Sequence, residues 1–260
     1  MKRFFSELER YSAYLFYASK CDLKSEVANS YLNWLWWILD PLCFMLVYLF
    51  IAVVVFRKSE PYFPVYVFIG LTLWNFFSKI MSSSVIMIKK NKGLLSKVYL
   101  PRYMLVLHSM MVYGIKMMIS WALVLCLLVI YRVPLDCKVL YFFPILCTFA
   151  VVVFGCGTIL LHFGVFVEDL ANIVTVLLRL TMYLSGIFYS IRKLVPAPYN
   201  KMILYANPVA FCIDAVRESV LYQRTPNFVI LGIWFVFGLL LSMVGVSLIY
   251  KHENSYAKVT

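Results

Sequence analysis

Runs of about 20 apolar residues recur along this chain, each long enough to cross a bilayer core of roughly 30 Å as a helix. They cover 34–56, 64–88, 104–131, 139–167, 172–189 and 228–250. Hydrophobic residues make up 63% of the 260, which leaves no room for a separate soluble domain. Inside a bilayer the backbone must satisfy its own hydrogen bonds, and period-3.6 apolar runs do this as helices. The expected fold is an all-α polytopic membrane protein. It has six transmembrane helices, an N-terminal interface helix over 1–33 and a membrane domain over 34–260.

The net charge of +12 falls on loops and helix ends, where cations meet anionic lipid and set topology, and no nucleic acid is implied. The seven cysteines lack CxxC or Cys/His spacing, so neither a disulfide framework nor a zinc site is indicated. Residues 1–30 are polar and aromatic, unlike a signal peptide. Phe4, Leu8, Tyr11 and Leu15 form a helical stripe, with Glu7, Glu9 and Arg10 expected on other faces. Such a helix lies in the membrane interface. Lys/Arg residues number five in the N-terminal segment and five in 89–102, against two in each of the first two opposite loops. That bias places both termini in the cytoplasm.

The segment 89–102 carries five cations (Lys89, Lys90, Lys92, Lys97 and Arg102) and no acid. Asn91 and Gly93 interrupt the preceding span, and Pro101 ends whatever helix follows. Between them Leu94, Leu95 and Val98 share one side of a short amphipathic helix over 92–99, with Lys92 and Ser96 opposite. This surface is a handle that another protein could push. The alternative is an ordinary basic loop obeying the positive-inside rule.

Several polar residues fall inside the spans. Asp40-Pro41 follows Trp34-Leu35-Trp36-Trp37 in the first, and a kink is expected at Pro41. Lys79, Lys116 and Arg179 lie well inside the second, third and fifth spans. Intramembrane cations are candidates for function, or they pair with Asp40 or Glu168, or snorkel to an interface. His108 and His162 read as packed or lipid-edge residues.

Residues 190–227 are different, with Pro196, Pro198, Asn207-Pro208 and Pro226 among apolar residues. Asn207 followed by Pro208 is a strong helix start. A helix over 209–222 has Asp214, Arg217 and Glu218 on its polar side, and Asp214 and Arg217 are spaced to pair. With a shorter helix over 199–206 it makes two short re-entrant helices capping the outer end of the bundle.

Taken in order, these stretches resemble one family. They are Trp34-Leu35-Trp36-Trp37-Ile38-Leu39-Asp40-Pro41-Leu42, Phe68-Ile69-Gly70-Leu71 with Trp74-Asn75-Phe76-Phe77, and Asn91-Lys92-Gly93-Leu94-Leu95 through Tyr99-Leu100-Pro101-Arg102. Phe166-Val167-Glu168-Asp169, Tyr183-Leu184-Ser185-Gly186-Ile187-Phe188-Tyr189 and Asn207-Pro208 with Asp214 and Arg217 follow. The chain resembles the permease subunit of ABC-2 type transporters that export lipid-linked polysaccharide of the O-antigen, capsule or teichoic acid type.

The resemblance implies a bacterial inner-membrane homodimer driven by two copies of a separate ATP-binding subunit. ATP and magnesium would sit on that partner, since this chain has no GxxxxGK[ST] phosphate loop and needs no cofactor of its own. Residues 91–101 would be the coupling helix, with Lys92, Gly93, Leu94, Leu95, Lys97, Tyr99, Pro101 and Arg102 at the contact. Residues 196–224, including Asn207, Pro208, Asp214 and Arg217, would form an outer gate. Aromatic faces hold sugars without trapping them, which nominates Tyr31, Trp34, Trp37, Trp74 and Phe77 for the channel. Lys79, Lys116 and Arg179 would meet an anionic substrate group. Two departures from the family pattern stand out. Glu168-Asp169 replaces an Arg-Asp pair, and Ser185-Gly186 replaces Ser-Pro, so a straighter fifth helix is expected.

Three alternatives differ in cargo or class. One is an ABC-2 exporter of a drug or small lipid. Another is a membrane-embedded glycosyl- or acyltransferase, which should cluster acids and histidines near one interface, whereas the acids here are few and dispersed. The last is a channel or assembly scaffold.

Overall fold

The computed structural model describes residues 2–28, 33–51, 60–134, 136–253 and 256. Tyr31 and residues 52–59, with the end of the first expected span, lie outside the described residues. The described residues are helical and contain no strand. The helices are α1 (Lys2–Ala28), α2 (Trp36–Phe50), α3 (Phe63–Lys90), α4 (Lys92–Leu95), α5 (Tyr103–Ile130) and α6 (Phe142–Phe166). They continue as α7 (Leu170–Leu184), α8 (Ile191–Leu194), α9 (Tyr199–Ala206), α10 (Pro208–Val220) and α11 (Phe228–Lys251). Single 3-10 turns at Asn33–Leu35 and Cys137–Tyr141 lead into α2 and α6.

Among the described residues four helices are long and apolar enough to cross a membrane: α3, α5, α11, and α6 with its leading turn. α7 is apolar but has 15 residues, about 22 Å at 1.5 Å per residue and short of a full core; the described part of α2 is also apolar and 15 residues long. The fifth helix was expected over 172–189. It stops at Leu184 because Gly186 takes φ +62°, a left-handed conformation that glycine accepts and that ends a helix. The expected straighter helix is thus a shorter one.

α3 is the central helix, packed against α2, α5, α6, α7 and α10. Its mean hydropathy is 1.3, against 2.5 for α11, yet 78% of its most apolar window is buried against 17% for α11. The less apolar helix is the inner one, the reverse of a soluble core. Thr72 bonds back to Phe68 O at 2.8 Å within α3 and protein neighbours pack around it and Ser84, whereas lipid favours α11's Leu, Val and Phe.

α6 and α11 form the tightest pair. A Cβ on Gly155 would lie 2.7 Å from Leu241 Cβ, on Gly238 2.9 Å from Val152, and on Gly245 2.2 Å from Thr158 Oγ1. These contacts leave the backbones as close as small residues permit. The Ser242 hydroxyl donates to Gly238 O at 2.8 Å and reaches Val151 O across the pair at 3.3 Å.

The amphipathic reading of the N-terminus holds, with one change. Leu15 is buried, and Phe4, Leu8 and Tyr11 pack on the core. Glu7 was expected on another face, but it points inward, where two tyrosine hydroxyls meet it. α1 lies along α5: Glu7 meets Tyr103, Asp22 lies 3.5 Å from His108, and Glu26 bonds Lys116.

Candidate functional site

Three places carry the chemistry: an exposed elbow after α3, a polar cavity between α1, α2, α3 and α5, and a cap built from α8, α9 and α10.

At the elbow, both the backbone N–H and the side chain of Asn91 donate to Met87 O, at 3.0 and 2.9 Å, and close α3. The helix expected over 92–99 is only one turn, Lys92–Leu95, followed by turns to Val98 and extended chain to Pro101. Serine at 96 bonds back to Gly93 O at 3.1 Å and helps stop it. Leu94, Val98 and Tyr99 are exposed beside Lys92 and Lys97, and a Cβ on Gly93 would meet nothing within 4 Å. Leu95 instead packs against the core, and Leu100, Pro101 and Arg102 are buried.

A polar knot holds the elbow's exit. Glu7 accepts from Tyr250 at 2.6 Å, Tyr103 at 2.7 Å and Arg3 at 2.8 Å. Arg3 also donates to the Tyr99 hydroxyl at 2.8 Å, and the Tyr11 hydroxyl donates to Tyr99 O at 3.2 Å. Burial pushes the Glu7 carboxyl up, but these three donors outweigh it and hold the group below the usual carboxylate range. The knot joins α1, the elbow, α5 and α11. The sequence separations, 96 for Glu7–Tyr103 and 243 for Glu7–Tyr250, put it beyond local pattern reading.

The cavity has a volume of about 330 Å³. It gathers Trp37, Lys79 and Lys116 from the sequence-nominated set and adds Glu26, Asp40 and Asn75. Both carboxylate oxygens of Glu26 accept from Lys116 Nζ, at 2.7 and 2.6 Å. The Trp37 and Tyr113 rings each lie 5.3 Å from the same ammonium, within cation–π range. The partner of Lys116 is therefore Glu26, which sequence spacing did not offer, and neither Asp40 nor Glu168. Asp40 and Lys79 are exposed at the cavity wall. Among the described residues neither makes an ion pair.

Other nominated residues sit elsewhere. Trp74 is buried, 5.8 Å from the half-buried Phe77 ring, and packs the core instead of the cavity. Trp34 and Arg179 are exposed and do not line the cavity. His162 is packed: it is buried, its Nδ1 lies 2.6 Å from the Tyr256 hydroxyl and its ring 4.9 Å from that of His252.

In the cap, Asn207 starts α10 as expected, its side chain accepting from Val209 N at 3.0 Å and Ala210 N at 3.3 Å. The expected Asp214–Arg217 pair does not form. Arg217 is 2% exposed and donates to Tyr66 O at 2.9 Å, Gly186 O at 2.8 Å and Ile187 O at 2.8 Å. α10 is buried on nearly every side, so Arg217 points at backbone carbonyls and not at water. The turn at Gly186 supplies two of them, and a guanidinium fork can serve several at once. Gly70 makes the approach possible: a Cβ there would lie 2.6 Å from the Arg217 guanidinium. Asp214 pairs with Arg192 at 2.7 Å, and the same guanidinium holds Glu218 at 3.0 Å. Burial, with Asp214 nearby, pushes the Glu218 carboxyl up. Lys193 and Tyr222 both bond Glu60. Among the described residues no group of three or more His, Cys, Asp and Glu could hold a metal.

A helical membrane domain with an exposed basic elbow and a pinned cap is the build of a permease, and the comparisons agree. Residues 19–221 match the family model for the ABC-2 type transporter, and the chain belongs to that family. It is similar to the O-antigen export system permease protein RfbA of Klebsiella pneumoniae, 26% identical over 92% of this chain and 91% of that one. The O-antigen export system permease protein RfbA of Myxococcus xanthus is 26% identical over 87% of each chain. The polysialic acid transport protein KpsM of Escherichia coli is 22% identical over 90% of this chain and 91% of the other. This protein is thus a multi-pass ABC-2 permease.

Proposed function

We propose that this chain is the permease of an exporter that moves lipid-linked polysaccharide across a bacterial cytoplasmic membrane, driven by a separate ATP-binding subunit. One observation carries the reading: a polar, aromatic-walled cavity lies among apolar spans in a chain matched nearly end to end by permeases named for O-antigen and polysialic acid. A small-lipid or drug exporter would share the fold, but none of the relatives cited is named for such cargo.

In this reading the chain crosses the membrane six times, α2 and α7 being short crossings completed by flanking residues. Both termini and the elbow face the cytoplasm, and α8–α10 close the outer end. Two copies pair around the path of the glycan. The exposed apolar and basic side chains of the elbow receive the ATPase, with Leu94, Val98 and Tyr99 buried in its surface and Lys92 and Lys97 meeting acids. The stated mechanism is mechanical: a push on the elbow reaches α1, α5 and α11 through the knot around Glu7.

Depleting the protein tests the function. Lipid-linked glycan should accumulate on the cytoplasmic side while surface polymer disappears. Unchanged surface glycan with no internal build-up would instead favour a small substrate. Failure to make the glycan at all would point to an enzyme. Gly93→Trp tests the coupling role better than Leu95→Asp, because position 93 opens on empty space and Leu95 supports the fold. The tryptophan variant should insert normally, bind the ATPase poorly and export nothing.

A further inference from the structure

We infer that the cavity is an oxyanion site in which Glu26 stands in for the ligand, so that Lys116 exchanges an internal carboxylate for an anionic group of the cargo. The inference rests on the export reading above and names the part of the cargo this cavity takes.

The argument begins with depth. Lys116 lies 13 residues into α5, about 20 Å along its axis, where an ammonium is costly unless paired. Its pairing is lopsided. Both oxygens that hold it belong to one residue, Glu26, which is two residues from the end of α1. The Glu26 side chain is half exposed, while that of Lys116 is 20% exposed. The cation is thus fixed within the wall of a cavity that also holds Asp40, Asn75 and Ser120, and its counter-ion comes from a less enclosed side chain near the end of a separate helix. The Trp37 and Tyr113 rings flank the ammonium on either partner. They soften the cost of the exchange, because the cation is never left without favourable contacts.

Lys79 supplies a second cation to the same cavity, exposed and without an ion pair among the described residues. With Glu26 in place the cavity holds two carboxylates and two ammonium groups. With Glu26 withdrawn it carries a net positive charge that an oxyanion group can meet. Asp40 on the wall keeps that positive charge small and favours release. Asn75, with hydrogen-bond donors, is available to a phosphate or carboxylate oxygen. The ligand chemistry is therefore an oxyanion on a larger, partly apolar or sugar body. A phosphate ester on a lipid and a carboxylate on an acidic glycan both qualify.

Binding to the full-length permease in complex with its ATPase, in neutral-lipid nanodiscs, separates the sources. The probes are farnesyl diphosphate, a sialic acid oligomer and uncharged farnesol. Saturable binding of either anion above farnesol supports the site, and the one that binds identifies the source. Glu26→Gln removes the internal competitor and should tighten that anion about tenfold, whereas Lys116→Met should weaken it at least tenfold. Equal binding of farnesol and farnesyl diphosphate, with no oligomer bound, would overturn the inference. So would anion binding that Lys116→Met leaves intact. The exchanged pair Glu26→Lys with Lys116→Glu tests a purely structural role. It should recover thermal stability but not anion binding, and recovery of both would overturn the exchange. The export reading fails separately: if depletion leaves surface glycan unchanged, that reading falls while the binding results stand. If depletion abolishes export but Lys116→Met exports at the normal rate, the oxyanion site falls alone.

Discussion

Arg217 in the cap and Lys116 in the cavity are both cations within the helical bundle, and they are held in opposite ways. Arg217 is fully buried and spends its donors on backbone carbonyls of two segments, Tyr66 on one side and Gly186 with Ile187 on the other. Its partners cannot swing away, because they are main chain. Lys116 has one side-chain partner, and that partner is mobile by chemistry: a carboxylate on a three-bond stem near a helix end. A guanidinium tied to fixed acceptors makes a hinge pin, and an ammonium tied to a flexible acid makes an exchangeable contact. The fold uses the first where the cap must keep its shape and the second where something must come and go.

The largest effect should follow from pulling the pin. Arg217→Met strands the buried carbonyls of Gly186 and Ile187 at roughly 1–3 kcal/mol each, while Tyr66 O keeps its partner within α3, so a loss of about 3 kcal/mol is expected. Thermal unfolding of the purified protein would measure it. Arg217→Lys should recover little, since one ammonium cannot fork to carbonyls on opposite sides. Gly70→Ala comes next. Its methyl group lands 2.6 Å from the guanidinium and should cost about 1–3 kcal/mol as overpacking. Combined with Arg217→Met the two effects should be clearly less than additive, as residues sharing one contact are.

Glu7→Gln is expected to cost about 1 kcal/mol or more, because the amide oxygen still accepts but its nitrogen cannot, and the charge that strengthens these bonds is lost. Faster proteolysis of α1 would report it. The same carboxyl gives a pH signature. Its folded pKa is lowered, so its contribution is full above the ordinary value of about 4.3 and disappears as pH falls through the lower folded value. Docking of α1, followed by hydrogen exchange, should therefore stay constant from neutral pH down to about 5 and weaken only in stronger acid. The smallest stability change belongs to Lys116→Met, about 1 kcal/mol, because methionine needs no counter-ion at that depth and the Glu26 left behind is half exposed. Intact stability with abolished export would set the exchangeable cation furthest apart from the pinned one.

Much of this was legible from residue order, for a reason particular to bilayers. Lipid admits so few backbone solutions that apolar length alone located α3, α5, α6 and α11, and the Asn207-Pro208 cap located α10. The cavity was half legible. Lys79 and Lys116 were nominated because charge at membrane depth is expensive, and Trp37 because aromatic faces suit sugars. Glu26 was missed because it lies on an amphipathic helix where acids are ordinary, and only the tertiary path of α1 brings it to α5. Arg217 was misread because a helical projection assigns faces as though water lay on one side, and α10 has protein on nearly all sides. The elbow helix was overextended: apolar spacing over 94–98 matched a helix, but Ser96 and the extended run into Pro101 end it after one turn.

The close seating of α11 on α6 has a practical use. With glycine facing side chains at 155, 238 and 245, neither helix can slide or roll without a backbone collision, so the two travel as a single plank. Distances measured between spectroscopic labels on those two helices should read the same in every stage of the transport cycle. Such a pair supplies an internal ruler, against which the displacements of the elbow, α1 and the cap can be calibrated within one molecule.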